Sequence, residues 1–128
     1  MESNKEILDN KRKELVEKLS QIGQKISINK RRLQITYNTL NIWKRDAYML
    51  KCETENADLY YLNDIQIRCK EIELINLRNE IEWKKESLKD REKEQRELIF
   101  QFKAINRELT KLDKRIKKFS QKDLHISK

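Results

Sequence analysis

The sequence predicts an all-α protein: a two-helix antiparallel coiled-coil hairpin, rod-like, with the C-terminal arm the longer. Three observations carry this reading. The 128 residues include one glycine and no proline, so the turn residues that sheets and sandwiches need at short intervals are missing. Charged residues make up 41% and hydrophobic residues 37%, a balance typical of long helices and coiled coils rich in Lys, Glu, Leu, Arg and Gln. Apolar residues also recur at alternating three- and four-residue spacing, which holds one helix face against a partner. The apolar share is too small and too dispersed for a thick globular core, so burial has to come from a helix–helix seam or a partner.

The first arm, residues 4–52, carries one heptad register. Leu19, Ile26, Leu33, Leu40 and Ala47 fall at a, and Leu8, Leu15, Ile22, Trp43 and Leu50 at d. Lys5 and Arg12 at a, with Asn29 and Thr36 at d, are its polar positions. Gly23, at e, costs up to ~1 kcal/mol relative to alanine and permits a local bend. Past Leu50 the same register selects Thr54, Ala57, Tyr61, Asp64, Arg68 and Glu71, which form no apolar seam. The polar stretch at 53–58, ETENAD, is therefore expected to be the tip, with Asn63-Asp64 as a second candidate because Asn63 would cap a helix together with Gln66.

The second arm is expected over about 58–121, ahead of a frayed tail at 122–128, and the whole of 1–128 forms a single hairpin domain. Its seam starts around Leu74 and runs through Leu77, Ile81, Lys84, Leu88, Arg91, Gln95, Leu98, Phe102, Ile105, Leu109, Leu112, Ile116 and Phe119. Leu62, Ile65, Cys69 and Ile72 follow a third phase between the two registers. One uninterrupted helix paired with a second chain is the competing architecture, and the mid-chain change of phase favours the hairpin.

At ~1.5 Å per residue, an arm of roughly fifty residues is ~70 Å long and leaves no room for a catalytic cleft. With a tip near residue 55, facing residues have numbers summing to about 110. That arithmetic sets Asn29 against Lys84 as a polar layer and Leu15 against Gln95, and it leaves the chain beyond residue 107 with no opposing arm. Leu109, Leu112, Ile116 and Phe119 would then form an apolar stripe in need of a partner.

Composition narrows the function classes. No stretch approaches the ~18–20 apolar residues of a bilayer crossing, and the first residues, MESNKEILDN, have no signal-peptide pattern. A cytoplasmic location with reduced thiols is expected. Cys52 and Cys69 are too few for a disulfide scaffold or a four-ligand zinc site, and the single histidine is His125. No metal, cofactor or small-molecule substrate is expected. With no glycine-rich phosphate loop and no nucleophile–base pair, an enzyme is not expected either.

Charge is segregated along the chain. Residues 1–50 carry 11 basic and 6 acidic groups, 51–102 carry 10 and 13, and 103–128 carry 9 and 3, adding to the net +8. In a hairpin both basic segments meet at the end that holds the termini, an end steered toward an acidic surface. Its candidate docking residues are Lys11, Arg12 and Lys13 on the first arm, with Lys111, Lys114, Arg115, Lys117 and Lys118 on the second; Lys122 continues that run. A second candidate surface is the column Ile28, Ile35, Ile42 and Met49, spaced seven apart at position c and about 130° from the seam. Trp83 also lies off the seam, and Tyr48, with Tyr37, Tyr60 and Tyr61, gathers toward the tip. Exposed aliphatic and aromatic side chains in a row are features of protein-binding anchors.

The layout resembles the YscO/FliJ family, the stalk proteins of type III secretion systems, most closely the injectisome members of pathogens. The resemblance rests on chain length, Lys/Glu/Gln richness, an N-terminal arm, a mid-chain tip preceded by Leu40-x-x-Trp43, and a longer basic C-terminal arm. It implies a non-enzymatic protein shaped like the coiled-coil rotor subunit of rotary ATPases. Such a protein docks through its paired termini on the hexameric secretion ATPase, stimulating assembly and hydrolysis. The basic residues above would then face the ATPase. Ile28, Ile35, Ile42, Met49, Tyr48 and Trp83 would face the export gate or secretion chaperones. A scaffolding coiled coil, including a homodimer, is the alternative. Nucleic-acid binding ranks lower because Asp9, Glu14 and Glu17 intersperse the N-terminal basic residues.

Overall fold

The computed structural model describes the backbone of residues 3–126 and the side chains of 3–121. Lys122, His125 and the rest of the expected frayed tail at 122–128 lie outside the described side chains. The protein is an all-α helical hairpin of two long helices, α1 (Asn4–Glu55) and α2 (Asp64–Ile126), with no strand among the described residues. Two compact units make it up. Unit 1 comprises Met1–Asn29 with Glu94–Lys128, and unit 2 comprises Lys30–Lys93.

Helix α1 starts at a capping site in which the Ser3 hydroxyl accepts the Glu6 amide at 3.2 Å and Glu6 supplies negative charge to the first turn. From Leu8 to Leu50 every a and d position except Arg12 is buried or half-buried. On α2 every expected seam residue from Leu74 to Phe119 is likewise buried or half-buried, including Lys84, Arg91 and Gln95. Setting Leu74, Ile81 and Leu88 at a and Leu77, Lys84 and Arg91 at d therefore describes α2.

The helices run antiparallel in each unit. In unit 1 Arg12 meets Asp113, Gly23 lies beside Phe102, and Asn29 donates to the Gln95 carbonyl oxygen at 2.8 Å. Gln95 in turn donates to the Ile26 carbonyl at 3.2 Å, so this polar layer inside the seam is hydrogen-bonded on both helices. A methyl group at Gly23 would only touch Phe102, at 3.7 Å, so no close approach demands glycine there. In unit 2 Tyr37 donates to Glu92, the Lys84 ammonium sits 5.8 Å from the Trp43 ring centre, and Lys70 pairs with Glu53 at 2.5 Å.

These pairs correct the expected register. In unit 1 the numbers of facing residues add to 124 or 125, not 110. Asn29 therefore meets Gln95 instead of Lys84, and Leu15 shares a groove with Leu112 instead of meeting Gln95. The stripe expected to be unpaired is covered: Leu112 is 5% exposed, and Leu109, Ile116 and Phe119 are half-buried.

The shift traces to the turn. The polar stretch at 53–58 looked like a tip, yet helix α1 runs through its first part, because Glu53 is held by Lys70, Glu55 by Lys51, and the Thr54 hydroxyl by the Lys51 carbonyl. Charged residues are good helix formers, and polarity alone does not bend a chain. The Asn56 amide and side chain both donate to the Cys52 carbonyl, at 3.0 and 2.9 Å. A helical turn follows. It closes where the Leu62 amide reaches the Ala57 carbonyl and the Tyr61 amide reaches the Asp58 carbonyl. This is the Schellman pattern, with Tyr61 at the left-handed position that glycine usually fills, φ 53°.

Asn63 then caps α2 in a reciprocal box. Its side chain accepts the Gln66 amide at 2.8 Å, while Gln66 accepts the Asn63 amide at 3.0 Å. The connection 56–63 thus touches both candidate tip positions, and α2 begins at Asp64, later than the expected 58.

The third phase also needs correcting. Ile65, Cys69 and Ile72 are exposed, whereas Ile67 and Lys70 are half-buried and extend the α2 seam back in phase with Leu74. Only one change of phase remains, and it falls at the turn.

Two measurements check this geometry. In a chain with Cys52 and Cys69 replaced by serine, spin labels at Lys11 and Lys114 are expected to lie closer together than labels at Lys11 and Ile99, which are offset by about 22 Å along the helix. A turn near residue 55 would reverse that order. Tyr61 is 93% exposed, so Tyr61→Gly loses little contact while relieving left-handed strain. It is expected to raise stability in urea unfolding by about 1 kcal/mol.

Candidate protein-docking surfaces

In unit 1 the antiparallel seam brings Lys11 of α1 beside Lys111 and Arg115 of α2. Together with Glu108 they line an open groove floored by Leu15 and Leu112. Seven-residue spacing puts Lys118 one heptad beyond Lys111 on the same edge of α2. Lys13, Lys114 and Lys117 are exposed but do not line this groove. Arg12 is engaged: its Nε donates to Asp113 Oδ1 at 2.8 Å, with both side chains about half exposed. A surface pair of this kind contributes at most ~1 kcal/mol, so it orients Arg12 more than it stabilises the fold.

The net charge is concentrated here. Unit 1 holds 16 basic and 10 acidic residues, and unit 2 holds 14 and 12. Most of the basic excess in unit 1 comes from Lys103 to Lys118 on α2, where seven cations meet only Glu108 and Asp113. Cations in the last turns of a long helix are also favoured by its dipole.

The second candidate surface belongs to unit 2. Ile35, Ile42 and Met49 are all exposed at position c of α1, and Trp83 is 74% exposed at position c of α2. Ile28 continues the column on α1 and is exposed too, but it falls in unit 1. A groove runs where the edges of the two helices meet, lined by Asp46, Met49 and Glu53 from α1 and Glu73, Asn76 and Glu80 from α2, with Leu50 and Leu77 completing it. Tyr48 is exposed but does not line it. One residue before Met49, it is turned about 100° round the helix toward the other edge.

Among the described residues, three groups have displaced ionisation equilibria, and in each case a hydrogen bond is the main cause. Tyr37 is raised above its ordinary 10.0 by its bond to Glu92, Tyr48 by its bond to Cys52, and Lys70 above 10.5 by its bond to Glu53. All three are cross-braces or local contacts of unit 2. Among the described residues no group of three His, Cys, Asp or Glu side chains is placed to hold a metal ion, and no helix is long and apolar enough to cross a membrane.

Around the turn stand further exposed side chains. Leu59 and Ile65 are each 76% exposed, beside Tyr60 and the still more open Tyr61. Leu59 sits in a turn where heptad counting says nothing, and Ile65 belongs to a seam phase that does not form. Phe100 in unit 1 is also exposed, and its position, two residues before the seam residue Phe102, was the available signal.

No protein-family model, curated protein or solved structure matches this chain.

Truncation separates a covered stripe from an unpaired one. Leu112→Ala is expected to cost about 2–3 kcal/mol in chemical unfolding, while Lys111→Ala next to it stays within about 0.5 kcal/mol. An uncovered stripe would give a near-zero cost at Leu112.

Proposed function

We propose that this chain is a non-enzymatic stalk component of a type III secretion system, docking through unit 1 on a hexameric secretion ATPase and through unit 2 on the export gate or secretion chaperones. The observation that carries the reading is the convergence of Lys11, Lys111 and Arg115 around one groove, in the unit that contains both terminal segments. A cationic groove with an apolar floor suits an acidic partner surface, and charge of one sign also speeds encounter. Because the stripe at Leu109–Phe119 is already covered, the docking element is the cationic edge and not a free apolar helix. The likeness to the YscO/FliJ layout supplies the identity of the acidic partner, and its cytoplasmic setting comes with it.

A scaffolding coiled coil is the second reading, favoured by the exposed row Ile35, Ile42 and Met49, which could seat against a copy of itself. Sedimentation at micromolar concentration separates a monomer from such a dimer.

The assay is ATP hydrolysis by the purified secretion ATPase with and without the chain. Reversing Lys111, Lys114, Arg115, Lys117 and Lys118 to glutamate is expected to return hydrolysis to its unstimulated rate, while thermal unfolding of the chain changes little because all five side chains are exposed. Stimulation that persists after the reversal would overturn the docking assignment.

A further inference from the structure

The two edges of the unit 2 hairpin differ in charge. From Thr39 to Glu53 on α1 and from Glu73 to Asp90 on α2, the g and c positions hold five carboxylates, Asp46, Glu53, Glu73, Glu80 and Asp90, and no Lys or Arg. The opposite edge carries Lys44 and Lys51 of α1 and Arg78 and Lys85 of α2 at its e positions. In an antiparallel pair, g positions of one helix face g positions of the other, and the shared groove lined by Asp46, Glu53, Glu73 and Glu80 has this arrangement. Lys70 reaches Glu53 from the seam; the other carboxylates line an edge with no cation of its own.

The same edge is where the exposed apolar side chains stand. Ile42 and Met49 rise from α1 one heptad apart, and Trp83 rises from the c column of α2, with Leu50 and Leu77 in the groove between the helices. Met49 adapts to irregular surfaces, and a tryptophan at the centre of a contact is a frequent energetic anchor. Ile42 and Met49 on one wall and Glu73 and Glu80 on the other repeat every seven residues, which matches the repeat of a third helix lying along the groove.

We propose that the g/c groove of unit 2 binds an amphipathic helix of a partner protein whose apolar stripe is flanked by Lys and Arg. This rests on the reading of unit 2 as a second docking surface and names the chemistry of what docks there. The apolar stripe of the incoming helix covers Ile42, Met49 and Trp83, and its flanking cations meet Asp46, Glu73 and Glu80. The chain as a whole is cationic, at +8, whereas this edge carries carboxylates and no Lys or Arg, so charge favours a cationic helix along it. Local complementarity therefore sets where the helix binds.

The test uses the full chain and an amphipathic helical peptide built only of leucine and lysine, followed by NMR. Binding is expected to move the Met49 methyl and Trp83 indole resonances. Asp46→Lys combined with Glu80→Lys is expected to weaken it at least tenfold, and Ile42→Ser combined with Trp83→Ser to abolish it. All four side chains are exposed, so circular dichroism should show the helices intact.

Equal binding of the matching leucine–glutamate peptide, shifts that map to Tyr48 and Ile75 or to unit 1, or no binding at all would each overturn the proposal. So would a dimer in sedimentation that the same substitutions dissociate, because the groove would then be occupied by a second copy. None of these readouts needs the ATPase, so failure here and failure of the unit 1 docking assignment are separate results.

Discussion

The position of the turn determines nearly everything else in this hairpin, because where a chain folds back sets which residues are brought to face each other. Two local devices fix it. A Schellman closure with Tyr61 in the left-handed region ends the connection, and the Asn63/Gln66 box starts the second helix two residues later. Moving that turn by a few residues moves every facing pair along the seam by twice as many. The coverage of Leu112, the pairing of Arg12 with Asp113 and the bond between Asn29 and Gln95 all follow from where these few side chains bend the chain.

How much of this was legible in the sequence divides along physical lines. Heptad spacing is enforced by burial, and burial repeats many times along a helix, so the seams from Leu8 to Leu50 and from Leu74 to Phe119 could be read from periodicity alone. The turn is a single event made from non-glycine residues. Its strongest sequence cue, the capping pair Asn63 and Gln66, ranked below a polar stretch that in fact stays helical through Glu55. Tyr61 offers no cue at all, since a bulky residue is a poor guess for a left-handed site. Pairing across the seam inherited that error, while the membership of each seam did not.

For the candidate surfaces the same division holds. The c column and the basic residues are properties of one helix at a time, so their exposure could be anticipated. Which of them share a groove depends on both helices. Lys11 meets Lys111 and Arg115, whereas Lys13, Lys114 and Lys117 stand apart. Tyr48 parts from Met49 because adjacent residues on a helix point about 100° apart. The acidic edge of unit 2 was present in the sequence from the start, but it becomes a surface only when the g positions of two arms are placed side by side.

The hydrogen-bonded layer of Asn29 and Gln95 also acts as a detent against sliding. Leucine-rich seams tolerate displacement by a whole heptad, since one leucine replaces another and little burial is lost. Such a slip would carry Asn29 away from Gln95 and set it against Leu88 or Phe102, leaving a buried amide without its partner at a cost of about 1–3 kcal/mol. That is enough to make the slipped arrangement roughly 5- to 150-fold rarer than the aligned one. Two amides thus hold in alignment a zipper in which one leucine can stand in for another.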